Sequence, residues 1–285
     1  MIKELFESGR QALSFEVFPP KKDDEFENAF HILDSLSELS PDFISVTYGA
    51  GGSKSKRTVE IASYIQNTLH IPAIAHMTCV GSRKEDLSSV ATSLKEANIS
   101  HVLALRGDRP VWMDDEQFFS RDFAHASDLT RFLRETTDLH VAGACYPEKH
   151  FEAVDMDTDI SFLKEKQEAG AEFLITQLFF DNDYFYRFLD KKNKAGITLP
   201  VCAGIMPITS AKQLGTTVSL SGSCVPKKLA DLIATYGDSP EEMRKAGIDY
   251  AITQILDLKK QGVDGIHIYS MNTPNMTHEI VKAIR

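Results

Sequence analysis

Cysteine is scarce in this sequence, and the spacing of the few cysteines is informative. The four residues Cys79, Cys145, Cys202 and Cys224 lie far apart and form no CxxC pair. Zinc sites and disulfide frameworks use closely spaced or regularly spaced cysteines, so this pattern favours reduced thiols. Three of the four fall on or at the ends of predicted strands, where a cysteine is a small core residue. We expect no metal site.

Long apolar runs and excess positive charge are also missing. No stretch approaches the roughly 20 apolar residues that a membrane span needs. The first residues, MIKEL, are amphipathic and lack the apolar core of a signal peptide. The net charge of -10 argues against nucleic acid or an anionic membrane as the main partner. We therefore expect a cytoplasmic protein that binds neither nucleic acid nor membrane.

Several catalytic motifs are absent as well. The GxSxG elbow of acyl-transfer enzymes and the phosphate-binding P-loop do not occur. No lysine lies at an inner strand tip, which disfavours a Schiff-base aldolase. The turn after the first strand, FPPKK, is rich in proline and lysine, whereas a dinucleotide-binding open sheet starts with a glycine-rich turn.

Short apolar segments alternate with segments of helical periodicity along the whole chain. Eight such repeats predict an α/β protein, a (β/α)₈ TIM barrel, formed by one domain over residues 1–285. An open doubly wound sheet is the competing architecture. The predicted strands are 13–19, 43–48, 74–79, 102–108, 141–146, 173–180, 201–206 and 265–272, and the predicted helices are 25–39, 54–69, 84–98, 124–136, 160–169, 184–195, 211–220, 226–236 and 240–261.

Polar residues gather where the predicted strands end, which is the face that carries the active site in such barrels. Alternation along a strand places Ala104, Arg106 and Asp108 on one face, and Ile175, Gln177 and Phe179 likewise. We expect these groups to point into the barrel mouth. The polar tips are Glu16, Thr47, Tyr48, His76, Thr78, Arg106, Asp108, Tyr146, Gln177, Tyr269 and Asn272.

Each of these polar residues has a functional and a structural interpretation. Glu16 lies between aromatic residues, so it either pairs with a cation or has a raised pKa and delivers a proton. Asp108 is a ligand-facing carboxylate, a cap on the following loop, or the partner of Arg106. His76 has no partner at metal-ligand spacing and is a hydrogen-bonding pocket residue. Gln177 needs a polar partner, either a ligand or a neighbouring strand tip.

The residues alone thus predict a barrel enzyme with a carboxylic acid and an amide-lined pocket, and they leave the substrate open. Seven segments, taken in order, resemble the motifs of the methylenetetrahydrofolate reductase family. The resemblance runs from Leu13 to the C-terminus and covers the catalytic barrel, so we expect no regulatory domain like that of the longer eukaryotic members. The segments are SFEVFPP (14–20), VTYGA (46–50), HMTC (76–79), ALRGD (104–108), YPE (146–148), ITQLFFD (175–181) and GIMP (204–207).

This resemblance implies a homo-oligomeric flavoprotein that holds FAD at the C-terminal face of the barrel without a Rossmann motif. NADH or NADPH would reduce the flavin, and methylenetetrahydrofolate would then occupy the same place and be reduced to 5-methyltetrahydrofolate. The sequence does not choose between the two electron donors. Two alternatives stay open: a flavin-free pterin-binding methyltransferase barrel, and a partner-dependent flavin subunit of a reductase complex.

The resemblance also assigns roles to individual residues. Glu16 matches the general acid, and Asp108 matches a carboxylate near the flavin and pterin. Substrate contacts carry over to Glu16, Asp108, Gln177, Gln213 and Tyr269. Arg106 and Lys166 would face the diphosphate or ribityl chain of FAD. The full set of implied FAD contacts is Thr47, Tyr48, Ala50, His76, Arg106, Gly107, Asp108, His125, Ala126, Tyr146, His150, Ala153, Asp159 and Lys166.

Three positions depart from the family pattern. Thr217 stands where some bacterial members carry a phenylalanine, and Thr273 stands where an arginine commonly follows the last strand. Phe162 occupies a flavin-contact position that is often asparagine. The first two departures concern folate and nicotinamide binding, and the third concerns the edge of the FAD.

Overall fold

A computed structural model describes residues 2–48, 52–119 and 121–285 of the chain. Eight parallel strands pair in sequence order, and the eighth pairs with the first, so the sheet closes into a barrel. The predicted (β/α)₈ TIM barrel is therefore confirmed. The strands are β1 (Ala12–Val17), β2 (Phe43–Val46), β3 (Ala73–Thr78), β4 (His101–Leu105), β5 (His140–Cys145), β6 (Phe173–Thr176), β7 (Val201–Ile205) and β8 (Gly265–Tyr269).

Helices surround the barrel, and a short helix precedes the first strand. The second long helical segment, which the sequence predicts as continuous, ends in a π-helical turn, Tyr64–Thr68. The α-helices are α1 (Ile2–Glu7), α2 (Phe26–Ser37), α3 (Gly52–Ser63), α4 (Lys84–Glu96), α5 (Asp115–Phe119), α6 (Ala126–Thr136), α7 (Met156–Glu168), α8 (Asn182–Lys194), α9 (Ala211–Ser221), α10 (Lys227–Tyr236), α11 (Pro240–Lys260) and α12 (Pro274–Ile284).

All eight predicted strands exist, but most of them end earlier than predicted. The residues Thr47, Arg106, Asp108, Tyr146 and Gln177 lie in loops just after the strands rather than within them. In barrels of this kind the loops after the strands carry the residues that contact ligands. Polar residues are therefore typical of these loops rather than of the strands. The predicted site thus rests on the loops at the carboxyl ends of the strands.

Two hydrophobic clusters show which side chains face inward. The cluster inside the barrel contains Phe43, Leu103 and Phe173, whereas the cluster between sheet and helices contains Ala104 and Phe179. The prediction that Ala104 and Phe179 share an inward face with the functional tips was wrong. It failed because alternation holds only within a strand, and β4 and β6 end before those tips begin.

Helices α1, α5 and α12 were not predicted. The start of α12 carries a recognisable signal, since Thr273 is its N-cap and Pro274 is its first residue. The sequence departure at Thr273 is therefore also the point where the last helix begins. In the part of the chain that the structure describes, no helix has the length and apolar character needed to cross a bilayer.

Candidate active site

Glu16 lies near the carboxyl end of β1 with its side chain inside the barrel mouth. Its side chain is 19% exposed, so part of it remains accessible to solvent. Pairing with β2 and β8 aligns it with Ser45 and Tyr269, and in a parallel sheet such aligned residues point to the same side. The fold therefore places a carboxylate among inward-facing polar side chains.

Two imidazoles approach the same carboxylate oxygen. The Oε2 atom of Glu16 lies 3.4 Å from Nε2 of His76 and 3.7 Å from Nε2 of His267. The Ser45 hydroxyl contacts both Glu16 Oε2, at 3.5 Å, and His267 Nε2, at 3.4 Å. Below them, Ser14 Oγ lies 2.8 Å from Nδ1 of His267. These five side chains form one polar cluster, which we call the Glu16 cluster.

The environment of the Glu16 cluster sets its protonation. Burial is the largest influence on the pKa of Glu16 and acts to raise it, but the hydrogen bond from His267 and the positive charge of His76 and His267 outweigh burial and hold the pKa below its ordinary value. Of the two interpretations of Glu16, the structure therefore favours pairing with cationic partners over a raised pKa. Sequence could not reveal the cause, because His76 and His267 come from distant strands.

The tip of β1 is tied to the loop that follows β8. Ser270 donates a hydrogen bond to the Glu16 carbonyl at 2.6 Å, and the Asn272 side-chain amide bonds both the N–H and the carbonyl of Phe18, at 3.1 and 2.9 Å. Met271 and Asn272 have φ of 50° and 51°, the left-handed region that such residues adopt at a cost. This strained loop fixes the position of Glu16.

The residues after β4 form a second part of the site. Arg106 pairs with Glu152, on the loop before α7, so of the three interpretations of Asp108 the structure does not support a pair with Arg106. Gly107 has φ of +85°, and a Cβ there would lie 2.8 Å from a methyl group of Val80, so only glycine suits the position. Asp108 is exposed at the rim.

The loop after β5 and helix α7 bring four predicted cofactor residues together. The ring of Tyr146 meets that of His150 edge to face at 4.7 Å, and Asp159 accepts a hydrogen bond from the His150 backbone at 3.1 Å. Lys166 donates to the Ala144 carbonyl at 2.7 Å. Burial raises the pKa of Asp159 and lowers that of Lys166. A partly desolvated anion and cation thus lie on one helix face.

The other implied FAD contacts lie around this rim. Thr47 and Tyr48 follow β2, with the Thr47 carbonyl accepting a hydrogen bond from Thr58 at 3.0 Å. His125 is the N-cap of α6, Ala126 begins that helix, and Ala153 is buried beside His150. The His125 ring stacks on Phe162 at 5.5 Å, so the departure at position 162 adds an aromatic contact. Ala50 lies outside the described residues.

The predicted substrate-binding residues differ in how many of their side-chain hydrogen-bonding groups are already used within the protein. The Gln177 side chain accepts a hydrogen bond from the Leu178 N–H at 2.9 Å, and its amide nitrogen keeps its donors. The Gln213 amide instead bonds Thr209 and the Pro207 carbonyl, so it braces the loop before α9. The Tyr269 hydroxyl donates to the Thr176 carbonyl at 2.7 Å and spans the mouth between β8 and β6.

Four residues of this region were missed by the sequence reasoning: Ser14, Ser45, Glu152 and His267. Alternation could have found two of them, because Ser14 lies two positions before Glu16 and His267 two before Tyr269. No sequence signal connects Glu152 with Arg106. Across residues 2–48, 52–119 and 121–285, no three His, Cys, Asp or Glu side chains are grouped so that they could hold a metal ion.

Comparison with known proteins gives a consistent family. A family model described as methylenetetrahydrofolate reductase matches residues 1–285. The chain is 34% identical over 272 residues to 5,10-methylenetetrahydrofolate reductase of Pectobacterium carotovorum, covering 95% of this chain and 89% of that protein. It is 33% identical to the Escherichia coli protein of the same name, covering 95% and 90%.

The chain is also similar to a longer relative and to a distantly related solved structure. Methylenetetrahydrofolate reductase (NADH) 1 of Arabidopsis thaliana is 34% identical, and this chain spans only 48% of its length. A solved structure from Clostridium thermocellum, at 15% identity, has a TM-score of 0.64 over 100% of this chain and 98% of that one; it shares the fold. The family model and the bacterial relatives together show that the chain belongs to the methylenetetrahydrofolate reductase family of oxidoreductases.

Proposed function

We propose that residues 1–285 form the catalytic unit of an FAD-dependent reductase that converts 5,10-methylenetetrahydrofolate to 5-methyltetrahydrofolate with NADH or NADPH as electron donor. The observation that carries this proposal is the Glu16 cluster. It places a carboxylate in contact with two imidazoles at the carboxyl ends of the strands, where barrel enzymes perform their chemistry. Family membership supplies the substrate.

The rim residues are of the kinds that suit FAD. Arg106 and Lys166 offer cationic groups to a diphosphate or ribityl chain, in a chain whose net charge is -10. The partly desolvated groups of Tyr146, Asp159 and His150 surround Lys166 and supply hydrogen-bonding atoms. When bound, FAD would accept a hydride from the pyridine nucleotide and deliver it to the folate.

Glu16 would supply the proton that the folate half-reaction needs. Opening the methylene bridge of the substrate leaves an amine that must be protonated, and Glu16, which the family resemblance matches to the general acid, lies at the barrel mouth. A pterin that covers the exposed edge of Glu16 removes water from the carboxylate. Burial already pushes its pKa upward, so this further desolvation favours the protonated acid in the complex.

Asp108 would act through charge rather than through proton transfer. It is exposed at the rim, one residue beyond the constrained Gly107, so it is free to face a bound ligand. The iminium that forms when the methylene bridge opens is cationic, and a nearby carboxylate stabilises it. Gln177 would bind the pterin or nicotinamide through its amide nitrogen, whereas Tyr269 lies at the base of the same mouth.

Two of the similar proteins support the choice of ligands. The Clostridium thermocellum structure binds two copies of 5-methyl-5,6,7,8-tetrahydrofolic acid, and the Arabidopsis thaliana relative carries NADH in its name. The first supports a reduced folate as the ligand of a barrel of this shape. The second supports a pyridine nucleotide as the electron donor of this chain, and NADH as the first one to test.

An anaerobic flavin titration tests the proposal. The purified chain should show the absorbance of bound flavin, NADH or NADPH alone should bleach it, and 5,10-methylenetetrahydrofolate should then restore it. A colourless protein that still binds folate would support the flavin-free methyltransferase barrel instead. A yellow protein that neither nucleotide bleaches would support a subunit that depends on a partner for its electrons.

A further inference from the structure

Three arginines converge on one phenyl ring beside the tip of β4. The guanidinium carbons of Arg106, Arg109 and Arg121 lie 5.8, 5.1 and 3.9 Å from the centre of the Phe118 ring. Like charges gathered around one ring repel one another, and the charge of Arg106 acts on Arg121 in this way. A cluster of this kind in a protein of net charge -10 indicates that an anion belongs near it.

Two of the three guanidinium groups already have a carboxylate partner. Arg106 pairs with Glu152, and Arg109 pairs with Asp115 at 2.7 Å. Arg121 has only carbonyl acceptors, those of Phe118 and of Ala124, the latter at 2.6 Å. No carboxylate within the described ranges forms an ion pair with it. Among the described residues, Arg121 is thus the member of this arginine cluster without a direct carboxylate partner, although Glu152 and Asp128 act on it from farther away.

The Arg121 side chain also has an unused donor. Its Nε atom is buried and has no hydrogen-bond acceptor among the residues that the structure describes. Burial lowers the pKa of Arg121, and the neighbouring charge of Arg106 lowers it further. A buried donor without an acceptor and a cation without a counterion are both costly, and a bound anion would satisfy both at once.

We propose that Arg121, together with Arg106, binds the diphosphate of FAD, which assigns a binding role to a residue outside the implied set of contacts. This inference rests on the proposed function. A diphosphate carries two linked anionic groups that two cations can contact together, and the guanidinium groups of Arg121 and Arg106 lie 3.9 and 5.8 Å from the centre of the Phe118 ring and influence each other electrostatically. Guanidinium groups bind phosphate oxygens through two parallel hydrogen bonds, which a single lysine cannot reproduce.

A ladder of flavins tests this assignment on the full-length chain. Riboflavin has no phosphate, FMN has one and FAD has two, so their affinities for the flavin-depleted protein report on phosphate contacts; quenching of flavin fluorescence measures them. Arg121→Gln should weaken FAD binding about tenfold to a hundredfold and FMN binding less, and it should leave riboflavin binding unchanged. Arg121→Lys should lose less FAD affinity than Arg121→Gln, because lysine keeps the positive charge but cannot form the two parallel hydrogen bonds of a guanidinium group.

A matched control removes an arginine elsewhere. Arg131, on α6, is exposed and lies 3.8 Å from Asp128, so Arg131→Gln changes the net charge equally and should leave all three affinities as they are. Equal FAD affinity in the unaltered chain and Arg121→Gln would overturn the assignment, as would an equal loss for riboflavin, which would indicate a structural role. A loss confined to 5-methyltetrahydrofolate would place Arg121 against the folate instead. If the unaltered chain binds none of the three flavins, the proposed function itself fails.

Discussion

The two ends of the barrel carry the same residue types in different arrangements. At the carboxyl end, Glu16 meets His76 and His267; at the amino end, Glu172 meets His140, whose ring stacks on His101 at 4.9 Å. The two carboxylates are similarly buried, with side chains 19% and 14% exposed. Residue type and burial therefore do not distinguish the two ends.

The two ends differ in the charged partners of their carboxylates and in the helix that packs against the amino end. Glu172 has a permanent cation, Arg134, at 3.3 Å, in addition to His140 at 2.9 Å. Helix α1 packs beneath this end, with the Phe6 ring 5.3 Å from that of Phe173. Within the described residues, the close partners of Glu16 are two imidazoles and a hydroxyl, so the charge around it depends on pH. An anion held by arginine stays charged, whereas one held by histidine exchanges protons, and this distinguishes structure from chemistry at the two ends.

The largest effect should follow from removing the acid at the carboxyl end. Glu16→Gln should slow reoxidation of reduced flavin by methylenetetrahydrofolate about a thousandfold, the range of general acid catalysis, because an amide cannot deliver the proton. Bleaching by NADH should change little, since that step needs no proton from Glu16. Stopped-flow absorbance measures both half-reactions.

The matched change at the amino end provides the control. Glu172→Gln has the same chemistry and should leave both half-reactions near their original rates, while lowering stability through the loss of the Arg134 pair. A comparable kinetic loss in both variants would mean that the two ends are not functionally distinct. Equal loss of both half-reactions in Glu16→Gln would remove the general-acid role.

The same two ends show which features of the fold and of the site can be predicted from the sequence. Strand periodicity and family motifs predicted the barrel and put Glu16 at its mouth, because both signals are local in the chain. The partners of Glu16 were not predicted, since His76 and His267 lie on separate strands that only the closed barrel brings together. For the same reason the sequence left two interpretations of Glu16 open, a cation pair and a raised pKa, and only the position of the imidazoles decides between them. Helix α1 is too short to stand out as a periodic pattern.

A stability measurement at the amino end comes next in size. Burial, with a smaller contribution from neighbouring His140, lowers the pKa of His101 to about 4, so the folded protein keeps this ring neutral while the unfolded chain takes up a proton. The stability that this group contributes is present above its unfolded pKa and is lost as pH falls toward 4. Between pH 7.5 and 5 the free energy of unfolding should fall by about 2 kcal/mol from this residue.

His101→Gln should remove that part of the pH dependence, whatever it does to the absolute stability. Urea unfolding at pH 7.5 and 5 gives the difference directly. The exposed His31→Gln serves as the control and should retain the original difference. If His101→Gln retained it too, the buried neutral ring would not be the source of the acid sensitivity.

Asp108→Asn tests the electrostatic role proposed for Asp108 at the carboxyl end and should have a moderate effect on the folate half-reaction. Loss of one nearby negative charge should slow the folate half-reaction about tenfold, because the cationic iminium is less stabilised. FAD should stay bound, since Asp108 lies at the exposed rim and the arginine cluster is untouched. Flavin content after gel filtration and single-turnover rates check the two statements. A colourless Asp108→Asn protein would show that the carboxylate holds the cofactor rather than tuning the reaction.

The smallest predicted effect, that of His267→Gln, tests the comparison of the two barrel ends most directly, because it changes the pH dependence of the reaction rather than its rate. In the structure His267 lowers the pKa of Glu16 through a hydrogen bond and through its charge, while burial opposes it, and His76 and Tyr269 are the other titratable groups facing the carboxylate. His267→Gln removes the hydrogen bond and the charge of His267 and leaves only His76 and Ser45 to oppose burial, so the pKa of Glu16 should rise. The folate half-reaction needs the protonated acid and slows as pH passes above that pKa. The fall should therefore move to higher pH in His267→Gln, as seen in single-turnover rates from pH 5 to 9. An unshifted profile would mean that the imidazole only fills space beneath Glu16, as the stacked His101 does at the other end.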